Sequence, residues 1–177
     1  MSGSPPVSRV RDPYTRRILS NVQGKDPLRI LARTPRRLSS LTDGLSTRQL
    51  RKRPAAGRWS IAHLICHLSD TEVVLAFRLR MAIAESGTPL QSMNEKRWAR
   101  HLGYETANIR ERLLLFTVLR SDTMRLLRSL SGSAWSRYGV HEERGKETVT
   151  RIARMYAGHD VNHLRQMETI RKQILDR

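Results

Sequence analysis

The stretch Gly158-His159-Asp160-Val161-Asn162-His163-Leu164-Arg165-Gln166 places two histidines four residues apart in a segment that reads as helix. The stripe around it runs Ile152, Tyr156, His159, His163, Gln166, Ile170, with the spacing of one helical face. A helix points such a stripe into a core. Imidazoles buried there need hydrogen-bond partners, or something that binds both. A divalent metal satisfies that need, because side chains at i and i+4 reach a single ion. Two protein ligands are rarely enough, so another part of the chain must supply a third.

Working outward, Thr148 caps this last helix, which runs to about Leu175. Residues 131–147 form a polar connection with Trp135, His141 and Gly145. Thr106 caps a helix to about Leu130, with Ile109, Leu113, Phe116 and Leu127 inward. Residues 87–104 read as a loop with Gly87, Pro89 and Gly103. Ser60 caps a long helix over 61–86, whose central stripe is Ile61, Leu64, Ile65, Leu68, Leu75 and Leu79. Val73, Val74, Phe77 and Met81 widen its apolar surface, as expected for a helix packed on more than one side, a second subunit included. Asp26-Pro27 starts a short helix through Ala32, and Thr34-Pro35 repeats the signal for a helix to about Leu41. Residues 1–23 are rich in Ser, Pro and Arg and are expected to form a disordered or loosely docked basic tail. Nothing alternates like a strand and nothing repeats. The expectation is an all-α four-helix bundle over 24–177, with a short extra N-terminal helix.

The 177 residues suit one domain with a good core. No apolar run is long enough to span a membrane and no signal-peptide pattern opens the chain, so a soluble, cytoplasmic protein is expected. A single cysteine, Cys66, excludes a disulfide framework and fits a reducing compartment. Its position suggests a small packing residue pointing away from His67.

Charge is the unusual feature: 33 Lys plus Arg stand against 16 Asp plus Glu, a net of +17. Such a surface attracts polyanions, nucleic acid among them. The basic residues are nevertheless spread along the chain. No helix-turn-helix, zinc-finger or RNA-module signature is present, and aromatics are too few for a base-stacking platform.

Six histidines are available as the third ligand. His101 and His141 fall in expected loops. His63 and His67 are a second i,i+4 pair, with His67 at the edge of the apolar face and His63 further round toward solvent. His67 is the better inward candidate, and periodicity alone does not decide between them. Two imidazoles from one helix and one from another would leave coordination positions open, the pattern of a catalytic centre.

Trp59-Ser60-Ile61, His67-Leu68-Ser69-Asp70-Thr71-Glu72, Arg78 and the His159-Asp160-x-x-His163-Leu164-x-Gln166 ending together resemble the DinB-like superfamily of metal-binding four-helix bundles. The resemblance covers about residues 26–175. It takes in the Ile30-Leu31-Ala32-Arg33-Thr34-Pro35 opening and the His141-x-x-x-Gly145 turn. It implies that His67, His159 and His163 hold a divalent metal such as nickel, zinc, iron or manganese. It also implies frequent homodimers. The activities it implies are transferases or isomerases acting on small molecules with a low-molecular-weight thiol such as bacillithiol, mycothiol or glutathione. An open centre of this kind polarises a carbonyl and favours a thiolate, while nearby arginines hold carboxylates or phosphates. Gln166 would orient a ligand or a water. Asp160 reads as solvated or paired on the surface, with a supporting role toward a histidine as the alternative. A second reading of the whole chain is a nucleic-acid or polyanion binder whose metal is structural.

Glu72 falls within the apolar stripe of the 61–86 helix, and Arg120 within that of the next. Pairing those helices antiparallel, with residue 86 opposite residue 106, sets residue 72 opposite residue 120. The expectation is a buried Glu72–Arg120 ion pair that fixes helix register.

Overall fold

A computed structural model describes residues 12–176. Seven α-helices appear among them: α1 (Pro13–Ser20), α2 (Pro27–Thr42), α3 (Thr47–Arg51), α4 (Ile61–Ala84), α5 (Glu95–His101), α6 (Ile109–Ser129) and α7 (Val149–Leu175). The four long ones form the bundle. Helix α2 packs on α6 and α7, and α4 packs on the same two. Each long helix starts at a side-chain cap: Asp26, Ser60, Asn108 and Thr148 accept backbone N–H groups of the first turn. The third long helix therefore begins later than Thr106 suggests, because Thr106 is used in a turn with Gly103.

Two apolar layers fill the bundle. One gathers Leu38, Ile61, Leu64, Leu68, Phe116 and Met167. The other gathers Leu31, Leu75, Leu79, Leu127, Ile152 and Ala153. Phe77 on α4 and Leu114 and Val118 on α6 stay outside both, at 61%, 63% and 57% exposure.

The two helix starts at Asp26 and Thr34 belong to one helix, α2, with Pro35 inside it. Proline has no N–H for the carbonyl four residues back, which is that of Leu31. Arg120 supplies the missing donor, its Nη1 lying 2.9 Å from the Leu31 oxygen. A tertiary contact thus mends what the local signal reads as a break.

The N-terminal segment also departs from expectation. Residues 1–11 lie outside the described residues. Residues 13–20 form α1, capped by Asp12, instead of continuing an irregular tail. Ile18 is wholly buried and packs with Leu19 and Met155. Gly158 is the reason α1 sits so close to α7: a Cβ there would come within 2.1 Å of the Ile18 carbonyl oxygen. Asn21 adds a bond from Nδ2 to the Gly158 carbonyl, 3.1 Å.

A small sheet joins the helices, where no strand was expected. Strand β1 (Pro89–Leu90) pairs in parallel with β2 (Tyr138–His141), and β2 pairs antiparallel with β3 (Gly145–Thr148). These strands are too short for alternation to show. Gly145 turns the hairpin at φ +68°, and a Cβ on Gly139 would strike the Leu90 side chain at 2.4 Å. The short helices α3 and α5 complete segments whose sequence carried no long period.

Candidate metal centre

His67 comes from the second turn of α4, and His159 and His163 from consecutive turns of α7. The packing of α4 on α7 brings them together. His67 Nε2 lies 3.0 Å from His159 Nε2, which lies 3.1 Å from His163 Nε2. One nitrogen from each ring falls within 4.8 Å of the other two. All three side chains are buried, at 1%, 8% and 8% exposure. Trp59 stands against His67 with ring centroids 5.0 Å apart.

Electrostatics keep these rings neutral. Burial pulls His67 down to about 3, with His163 adding to the effect. Burial likewise lowers His159 far below the ordinary imidazole range, and lowers His163. Gln166, exposed on α7, has its Oε1 3.1 Å from His163 Nδ1. A carbonyl oxygen only accepts, so the His163 proton sits on Nδ1 and its Nε2 carries a lone pair. Gln166 thus orients His163.

The donor set fits a divalent cation. Three neutral imidazoles turn ring nitrogens toward one another at about 3 Å, closer than lone pairs tolerate without a proton or an ion between them. Nitrogens at about 2.0–2.1 Å from a tetrahedral ion stand ~3.3 Å from one another. The Nδ1 atoms of His67 and His159 have no partner among the described residues, so no bond there commits these rings to the opposite tautomer.

The supporting network differs in part from what the sequence suggests. Arg120 Nε lies 3.0 Å from Glu72 Oε1, and its Nη2 2.7 Å from Glu72 Oε2. A second carboxylate joins them: Arg120 Nη1 lies 2.7 Å from Asp160 Oδ2. Asp160 is therefore buried, at 1% exposure, and not on the surface. Its Oδ2 also lies 2.7 Å from the Thr34 hydroxyl. It holds no histidine directly. Burial pushes the Glu72 carboxyl up against the opposing pull of Arg120, while the two carboxylates raise Arg120 and keep it charged. Helix periodicity pairs residues within two helices and carries no signal for the third and fourth.

His63 is also buried, at 4%, and not turned toward solvent. Its Nδ1 meets the Ser60 hydroxyl at 2.8 Å, and its Nε2 meets Glu105 at 3.2 Å. The segment between α5 and α6 covers it, which a helical wheel does not show. Cys66 is a core residue whose thiol burial pushes up to about 11, a poor nucleophile.

A cavity of about 540 Å³ opens beside the cluster, lined by His67, His159, Thr71, Arg78, His141 and Tyr156 among others. The sequence places His141 in an expected loop. It sits in β2, at 1% exposure, because the hairpin folds over the bundle.

Fold and site together define a four-helix bundle with a buried three-histidine cluster able to hold a metal at the edge of an open cavity. Residues 30–167 match the family model of the DinB superfamily, and the chain belongs to that family. A relative from Oceanobacillus iheyensis, provisionally named a metal-dependent hydrolase, is 30% identical over 139 residues, covering 78% of this chain and 80% of that protein. YfiT from Bacillus subtilis, with a similar provisional name, is 22% identical over 90% of each chain. The solved YfiT structure, described as a four-helix bundle of unusual topology, matches with a TM-score of 0.78 at 20% identity, over 83% of this chain and 85% of that one. The mycothiol-dependent maleylpyruvate isomerase matches with a TM-score of 0.61 at 18% identity, over 76% of this chain and 56% of that one. Among the described residues, no helix is long and apolar enough to cross a membrane.

Proposed function

We propose that this chain is a divalent-metal-dependent enzyme acting on a small molecule, with His67, His159 and His163 as the metal ligands. The observation that carries it is the convergence of three buried, neutral imidazoles on one point beside a cavity. Bound there, a nickel, zinc, iron or manganese ion supplies Lewis acidity, polarising a carbonyl and favouring the deprotonated form of a water or thiol. The protein's own part is positional. Gln166 fixes the His163 tautomer, Trp59 backs His67, and the cavity admits a ligand of modest size.

The finer reading is thiol-dependent transfer or isomerisation, with a low-molecular-weight thiol as cosubstrate. The family resemblance and a fold shared with a mycothiol-dependent isomerase support it. The relatives' names favour hydrolysis instead. The single cysteine fits a cytoplasmic setting.

Elemental analysis of untagged protein tests the centre. Near-stoichiometric metal is expected, falling at least tenfold in His159→Ala. Absence of metal under varied supply rules the centre out. Product from a small electrophile only when bacillithiol, mycothiol or glutathione is added identifies transfer. Turnover without any thiol identifies hydrolysis.

The +17 charge favours a second reading, a polyanion binder with a structural metal. Salt-steep binding to random duplex DNA that survives replacement of all three histidines by alanine would support it.

A further inference from the structure

Among the described residues two guanidinium groups are buried, and they are treated differently. Arg120 meets two carboxylates. Arg78, at 7% exposure, meets none among the described residues. Its Nη1 donates to the Tyr156 hydroxyl at 3.2 Å, and its Nη2 donates to the Gln91 carbonyl. Its Nε has no partner among the described residues. A buried cation without a counter-charge is costly, and the missing anion is a role for a ligand.

His141 sharpens the point. Its Nδ1 accepts the Glu143 backbone N–H at 3.2 Å. In the neutral ring the proton is therefore on Nε2. That Nε2 lies 3.5 Å from Arg78 Nη2, so two donors face each other with no acceptor between them. Tyr156 accepts from Arg78, which leaves its own hydroxyl proton to donate. Arg78, His141 and Tyr156 all line the cavity that reaches His67 and His159.

The other charges around this cavity do not fill the vacancy. Arg144 is held by Glu147 through paired bonds of 2.9 Å. Asp12, Glu95 and Glu143 are exposed residues of the lining, none forms an ion pair with Arg78, and Asp12 is engaged in capping α1. Ile18, Val74, Met93 and Met155 give the remaining wall an apolar character.

We infer that Arg78, His141 and Tyr156 form a carboxylate-binding subsite, holding a small organic acid whose apolar body lies along the cavity toward His67 and His159. Arg78 brings charge, and His141 and Tyr156 bring directed donors, the combination that recognises a carboxylate. The inference rests on the metal reading only for what happens at the ligand's far end.

Fluorine NMR of para-fluorobenzoate with the full-length protein tests this, first metal-free after chelation and then loaded with zinc. Saturable binding is expected in both states. Arg78→Gln should weaken it at least tenfold, and Arg78→Lys should recover part of the loss. The neutral isostere para-fluorobenzamide should bind at least tenfold more weakly than the acid. Equal binding of acid and amide would overturn the subsite, as would no saturable binding by the unaltered protein. Binding that persists in Arg78→Gln but vanishes in His159→Ala would overturn it too, placing the carboxylate at the histidines. A protein that takes up no metal yet binds the acid through Arg78 refutes the centre and leaves the subsite standing. Thermal melts of both Arg78 variants separate lost binding from lost fold.

Discussion

His67 and its two neighbours couple the centre to pH. Their folded pKa values lie below the unfolded value of 6.5, that of His67 at about 3. Above pH 6.5 both folded and unfolded states carry neutral rings, and these groups leave stability flat. Below it the unfolded chain takes up protons that the folded chain refuses. Stability of metal-free protein therefore falls as pH drops from 6.5 toward 3, by about 1.4 kcal/mol per pH unit for His67, with His159 and His163 acting in the same direction. Urea titrations between pH 7 and pH 5 should show this slope, and it should flatten in His67→Asn. An unchanged slope would mean that His67 is protonated in the fold. Arg120 offers a second test. Arg120→Leu strands two buried carboxylates and should cost roughly 3–5 kcal/mol. Glu72→Gln leaves Arg120 paired with Asp160 and should cost less. Equal losses in chemical denaturation would show that Asp160 contributes nothing to the pair.

Elements meet at residues whose value is invisible within any one helix. Gly158 in mid-α7 is a poor helix former by propensity, yet it is where α1 seats. Gly158→Ala gains helix propensity and still should destabilise the protein by ~1–3 kcal/mol, because the Ile18 backbone must move. Faster proteolysis near residue 20, with the bundle core intact, would show α1 leaving. A more stable variant would mean that α1 is not held against α7. Pro35 teaches the same lesson in reverse. It reads as a helix boundary and is one only if Leu31's carbonyl stays unpaired, which Arg120 prevents.

At the scale of the molecule, the α4–α6 face leaves Val73, Phe77, Leu114 and Val118 exposed together on paired helices. The family resemblance implies a homodimer, and this face is where a second copy would sit. Analytical ultracentrifugation should then give a dimer, and Phe77→Glu a monomer. A monomeric unaltered protein would exclude it. The basic charge is a separate property of the surface. It raises encounter rates with anions and is damped by salt. Within the histidine cluster burial is the first cause of the lowered titration, and Arg120 and Arg17 add to it at His159 and His163.

Local pattern decided much of this protein. Caps and 3.6-residue stripes determined α4 and α7, and the i,i+4 spacing determined that His159 and His163 share a face. Helix lengths also set Glu72 opposite Arg120. The tertiary structure alone decided that Asp160 and Leu31 join that pair, that Pro35 lies inside a helix, and that His63 is covered while His141 lines the cavity. The physical reason is range. Periodicity records which face of a helix is buried, while the partner across the core is chosen by packing between segments distant in the chain.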